Sequence, residues 1–263
     1  MPATVRLRRA ALAASLCAAV ALGASACGPN DAAPAAKPAQ PTQPPKPAGP
    51  FEDLSGPQIV NKAIAATKTA DSLTLDLALK TTDGPIKAAL STDVRGRCAG
   101  TLSMGTAGGT AELRKPGADT VYMRFDDALI KEQVTGESAA VQKEVVRQLK
   151  GRWVKTDAKD PDTKDSLALC DLKSLLAEFE QGVNTAVRGQ ETVVDGKKAL
   201  MLTQAEGSER TTVYVATEGK PYLLKLVGTG GKEPGTMSFT DYDKPVDAKV
   251  PPAKDIVDMK SFG

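Results

Sequence analysis

Leu73, Leu75, Leu77 and Leu79 alternate without a break with Thr74, Asp76, Ala78 and Lys80. A two-residue period gives a strand one apolar and one polar face, whereas a helix would scatter these leucines around its axis. Short runs of similar character follow over 86–94, 98–104, 110–114 and 120–125, set off by the turn residues Gly84-Pro85, Gly108-Gly109 and Pro116-Gly117. Strand patterning returns over 185–193, 199–204, 211–216, 222–227 and 236–242, with turns at Asp195-Gly196 and Glu218-Gly219. There Leu200 alternates with Leu202, Val213 with Val215, and Leu224 with Leu226. Two strand-rich halves, each with a greasy face, predict an α+β fold: one continuous antiparallel sheet with helices on one side.

The helix signals are fewer. Ser55 can cap a helix with Pro57 in its first turn, and Ile59, Ala63, Ile64 and Ala66 recur on one face to about Thr69. A helical middle carries Leu129, Ile130, Val134, Val141, Val145, Val146 and Leu149 and breaks near Gly136. Asp171 can cap a further helix with Leu172, Leu175, Leu176 and Phe179 on one face. Between them, 151–154 reads as a strand entry whose Trp153, the only tryptophan, is a core or rim plug. Asp157, Asp160, Asp162 and Asp165 lack the spacing and glycine of a calcium loop and read as a solvated loop.

The first 50 residues follow different rules. Arg6, Arg8 and Arg9 precede an apolar run over 10–22, and Leu22-Gly23-Ala24-Ser25-Ala26-Cys27 then supplies small residues before a thiol. These are the parts of a secretory signal ending in a lipobox, which makes 1–26 a signal peptide and Cys27 the acylated first residue of the mature chain. An ordinary secretory signal is the other reading, since Ala24 stands where leucine is usual; Arg8-Arg9 leaves Sec and twin-arginine export both open. Cys17, inside the apolar run, reads as a signal-peptide residue. Residues 27–50 form a tether. Pro34, Pro38, Pro41, Pro44, Pro45, Pro47 and Pro50 keep it in polyproline II or coil, reaching at most about 70 Å at roughly 3.1 Å per residue. The folded domain is then 51–263.

Composition removes whole classes of chemistry. The chain has no histidine, so the Ser-His-Asp and Cys-His schemes and nearly all zinc sites are missing. No serine is followed three residues later by lysine, and Gly136-Glu137-Ser138-Ala139-Ala140 lacks the second glycine and strand-to-helix setting of a nucleophile elbow. An enzyme would have to rest on Ser138; the expectation is a non-enzyme without cofactor or metal. Three of the 34 basic residues but none of the 32 acidic ones lie in the signal, so the mature chain is near neutral, with no electrostatic reason to bind nucleic acid. With Cys17 cleaved and Cys27 acylated, Cys98 and Cys170 remain in an oxidising compartment and are expected to pair. Closing that loop is worth about 4 kcal/mol on chain-entropy grounds.

Several stretches, in order, resemble one family. After the lipobox and tether come Leu54-Ser55-Gly56-Pro57-Gln58-Ile59-Val60, residues 68–73, Thr120-Val121-Tyr122 and Leu149-Lys150-Gly151-Arg152-Trp153-Val154. Val194-Asp195-Gly196-Lys197, Val213-Tyr214-Val215, Pro221-Tyr222-Leu223-Leu224, residues 239–246 and Pro251 complete the series. Over 51–252 the chain resembles the actinobacterial LppX/LprG-type lipoproteins, which share a LolA-like half-barrel with outer-membrane lipoprotein carriers. The resemblance implies a strongly curved antiparallel sheet with helices packed on its concave face, enclosing a cavity for lipid or acylated glycolipid. The positions it implies for that cavity are Leu75, Leu77, Leu102, Val121, Met123, Leu200, Leu202, Val213, Val215, Leu224 and Leu226. A one-residue slip in register would exchange the two faces throughout.

Two functions from different classes follow. One is a lipid carrier anchored to the outer, extracytoplasmic leaflet of the cell membrane, working with an envelope transporter. The other is a structural or regulatory envelope module with a filled core that docks a protein partner. Periodicity reports burial and leaves open what does the burying.

Overall fold

The computed structural model describes residues 50–103, 105, 108–180 and 185–258. Cys17, Cys27 and the proposed signal and tether over 1–49 lie outside the described residues. Pro47–Gly263 forms one compact unit that holds every strand named below.

The chain enters through α1 (Gly56–Thr67). Gln58 Oε1 accepts the backbone N–H of Ser55 at 2.8 Å, and Pro57 sits where a helix has no use for an N–H. β1 (Ser72–Thr81), β2 (Gly84–Asp93), β3 (Cys98–Ser103), β4 (Thr110–Lys115) and β5 (Thr120–Phe125) follow as a meander, each strand antiparallel to the next. The helical middle is α2 (Asp127–Gln133) and α3 (Ala139–Leu149), interrupted around Gly136 as expected. β6 (Trp153–Asp157) leads to α4 (Pro161–Lys164), a single turn in the expected loop, then to a 3₁₀ turn (Asp165–Cys170) and α5 (Leu172–Glu180). β7 (Val187–Val194), β8 (Lys197–Glu206), β9 (Glu209–Ala216), β10 (Leu223–Thr229) and β11 (Gly235–Thr240) form the second strand set. A short β12 (Ile256–Asp258), absent from the sequence reading, pairs parallel with β6.

The strands lie in one 12-stranded sheet in the order β12-β6-β5-β4-β3-β2-β1-β11-β10-β9-β8-β7. The halves join where β1 meets β11, with Leu75 opposite Phe239 and Leu77 opposite Met237. The sheet does not close on itself, which makes the fold an α+β curved half-barrel, antiparallel except for β12. Partner positions share a face, so apolar rows cross it: Leu75, Leu90, Leu113, Met123 and Val154 in one, Leu77, Ala88, Leu102, Ala111 and Phe125 in the next.

Two packed regions occupy this inner face. α1 and α5 lay Ile59, Ile64, Leu172 and Leu176 against Leu75, Phe239, Leu200, Leu202, Val213 and Val215. Burying each such large aliphatic contributes about 1.5–3 kcal/mol, so this half is a filled core that carries much of the fold. Next to it, Leu77, Leu90 and Val121 pack with Leu167 and Cys170 of the 3₁₀ turn. The expected Cys98–Cys170 disulfide is present across 72 positions and fastens that turn to β3.

Trp153 belongs to the opposite face. It is buried beneath the guanidinium groups of Arg114 and Arg124, 4.5 and 4.8 Å from its ring centre. Its neighbour Val154 faces the core row, so alternation alone places the indole outside.

Candidate functional site

Above β3–β5 the covering helices are held at their ends and stand off in the middle. Asp126 caps α2 by accepting the Leu129 N–H at 2.8 Å, and its other oxygen accepts the Thr110 N–H at 2.9 Å, tying the helix start to β4. Gly109 makes the approach possible: a Cβ there would lie 2.7 Å from the backbone of Leu129. Ser138 caps α3, its hydroxyl accepting the Val141 N–H at 3.4 Å. The Lys150–Asp127 ion pair at 2.5 Å joins the end of α3 to the start of α2. Yet α2 buries only Ile130 and α3 buries no residue completely.

The gap left beneath this hairpin is a cavity of about 280 Å³. The sheet contributes Leu102, Ala111, Leu113, Met123 and Phe125; the helices contribute Leu129, Ile130, Gln133, Val145 and Leu149. Gln133 is the single polar side chain among them. At roughly 30 Å³ per group, near the volume share of a liquid water, the space holds about nine methylenes. Each transferred from water gains about 0.8 kcal/mol, so the cavity can hold an alkyl chain without a charge or a directed hydrogen bond. Among the described residues no group of three or more Cys, Asp or Glu is placed to hold a metal.

Of the expected positions, Leu102 and Met123 line this cavity. Leu77 and Val121 lie in the adjoining layer packed by Leu167 and Cys170. Leu75, Leu200, Leu202, Val213 and Val215 do face inward, but α1 and α5 cover them, and Leu226 packs at the edge of that core. Leu224 is a correction. A bulge between Leu223 and Lys225 breaks the alternation of β10, so Leu223 joins the inner core while Leu224 packs with Ala199 and Ala216 on the other face. Residues not expected at the site are Ala111, Leu113 and Phe125 from β4 and β5 and the four apolar helix residues. The apolar spacing of Leu129, Ile130, Val145 and Leu149 was the available signal, because such a stripe has to face something.

LprF from Mycobacterium bovis, a solved structure, aligns with a TM-score of 0.51 and 14% identity over 75% of this chain and 97% of its own. The chain has the fold of LprF. The lipoprotein LppX from Mycobacterium tuberculosis aligns over 73% of this chain and 97% of its own, at 15% identity and a TM-score of 0.45. No family model and no curated protein sequence matches the chain. At 14% identity the likeness to LprF is one of fold alone. The slot under α2 and α3 is built from the side chains of this chain, and at 14% identity its chemistry has to be read from them.

Proposed function

We propose that this protein binds lipid by an acyl chain in the cavity under α2 and α3 and carries it within the cell envelope. One observation carries the reading: α1 and α5 fill one half of the concave face, while the α2–α3 hairpin leaves an apolar space of about 280 Å³ over the other. In this reading the acylated Cys27 and the proline-rich tether hold the domain near the outer leaflet, an acylated glycolipid is one cargo, and an envelope transporter supplies or receives it. The protein then acts by binding and release without turning its cargo over.

The test uses the compact unit beginning at Pro47, purified without detergent. Solvent extraction should release lipid detectable by mass spectrometry, and the emptied protein should take up a fluorescent acyl probe. Met123→Trp, which places an indole in the slot, should abolish uptake while the protein stays folded. Empty extracts together with no uptake would overturn the reading, and a single dominant protein crosslinked in intact cells would then favour a docking module.

A further inference from the structure

We propose that the disulfide end of the sheet carries a second site, which takes a single-chain amphiphile with a phosphate monoester head. A groove of about 670 Å³ lies there between the β2–β3 turn, the β4–β5 turn and the segment running from the 3₁₀ turn into α5. It is separate from the cavity under α2 and α3, with which it shares no lining residue: Leu102 and Leu113 line the cavity, Leu167 and Cys170 line the groove, and all four belong to one packed layer with buried Leu77, Leu90 and Val121.

The groove is amphipathic. Leu167, Leu169 and Leu172 give it apolar walls, and Val94, 48% exposed, extends them to solvent at the rim. Arg95, Lys115, Lys164 and Lys173 surround this trench against two carboxylates, Asp93 and Asp171. Both carboxylates are already engaged. Asp93 pairs with Arg97 at 2.7 Å and accepts the backbone N–H groups of Arg95 and Arg97. Asp171 caps α5 and accepts the Ser174 hydroxyl at 2.7 Å, which lowers its pKa.

None of the four cations forms a direct ion pair among the described residues; Lys115 feels Asp119, Asp171 and Asp93, and Lys173 feels Asp171, only at longer range, and Asp119 is itself paired with Lys159 at 2.9 Å. Lys115 lies deepest. Its ammonium donates to the Gly96 carbonyl at 2.6 Å, one bond for a group with three donors, and burial lowers its pKa. A cation held partly out of water gains most from an anion that replaces the lost solvent. The excess of two positive charges matches a phosphate monoester, which carries about −1.5 to −2 at neutral pH, better than a carboxylate. The apolar trench beneath supplies a place for one alkyl chain.

Methyl-resolved NMR of the unit beginning at Pro47, titrated with dodecyl phosphate, dodecanoate and dodecyl maltoside, separates the two sites. Dodecyl phosphate should shift the methyls of Val94, Leu167 and Leu169 and bind them more tightly than dodecanoate. Dodecyl maltoside should leave them in place. Lys115→Gln and Arg95→Gln should each weaken that binding about tenfold, the loss of one charge-assisted contact. Lys115→Arg should retain it, and added salt should weaken it. Equal shifts with dodecyl maltoside, equal affinity for dodecanoate, unchanged binding in the Lys115→Gln, Arg95→Gln double variant, or silent groove methyls would each overturn the proposal. Shifts of the Leu102, Leu113 and Met123 methyls report on the cavity alone, so either site can fail without the other.

Discussion

The hydroxyl of Thr92 donates a 2.7 Å hydrogen bond to the carbonyl of Cys170, 78 positions away, from the β2 position directly opposite Cys98. The 3₁₀ turn is therefore fastened to two adjacent strands at one level, by a covalent bond to β3 and a buried hydrogen bond to β2. Thr92→Val keeps the shape and removes the donor. It should cost about 1–3 kcal/mol in urea denaturation of the oxidised protein, because the Cys170 carbonyl stays buried without that partner. Replacing both cysteines by alanine should cost about 4 kcal/mol. An unchanged midpoint for Thr92→Val would mean that the disulfide alone holds the turn.

The bulge in β10 has an equally specific cause. The Leu223 N–H donates to Thr67 Oγ1 at 3.0 Å, and the Leu223 carbonyl accepts from the Tyr242 hydroxyl. Burial raises the pKa of that phenol, so it remains a donor well above the usual tyrosine range. Thr67 is fully buried, and Thr67→Val should lose about 1–3 kcal/mol by leaving the Leu223 N–H without its acceptor. Tyr242→Phe should cost about 1 kcal/mol. If thermal denaturation shows neither loss, packing of Leu223 alone sets the bulge.

These two residues show what was legible in the sequence and what was not. Alternation from Leu73 to Leu79 identified β1 and its inner face, since every second side chain of a half-buried strand must be apolar. Leu226 carried the same signal and does face inward, but for Leu224 that signal misled, because the switch to Leu223 depends on Thr67, 156 positions earlier, and on Tyr242, packed there by the tertiary fold. The β1–β11 pairing is a similar case: nothing local to Leu75 names Phe239 as its partner. For the candidate site, both apolar surfaces were visible, including Leu102 and Met123 on the sheet and Leu129 and Leu149 on the helices. The space between them was not, since it depends on how closely Gly109 and Asp126 allow α2 to approach.

Trp153 gives a direct optical readout of the outer face, being the only tryptophan in the chain. Glu112 pairs with both arginines that cover it, with Arg114 at 3.0 Å and with Arg124. Arg114→Ala or Arg124→Ala should each cost about 0.5–1 kcal/mol and red-shift the indole emission as water reaches the ring. Glu112→Gln should have a smaller effect on stability that fades at high salt, since the pair is partly exposed. Unchanged emission in the Arg114→Ala, Arg124→Ala double variant would mean that the ring is shielded by other neighbours.

Gly109 offers the sharpest test of how the cavity is held. An added Cβ would lie 2.7 Å from the N, Cα and Cβ of Leu129, and backbone atoms cannot rotate aside as a side-chain tip can. Gly109→Ala therefore has to displace the first turn of α2, where Asp126 links the helix to β4 through Thr110. Overpacking of this kind costs about 1–3 kcal/mol, and here the movement widens the slot instead of disturbing the core under α1 and α5. The variant should lose that much stability yet take up acyl probes longer than about nine carbons more readily than the parent, while Met123→Trp in the same background should cancel the gain. Uptake that falls with stability at every chain length would instead show that α2 must sit close to β4 for the cavity to hold any chain.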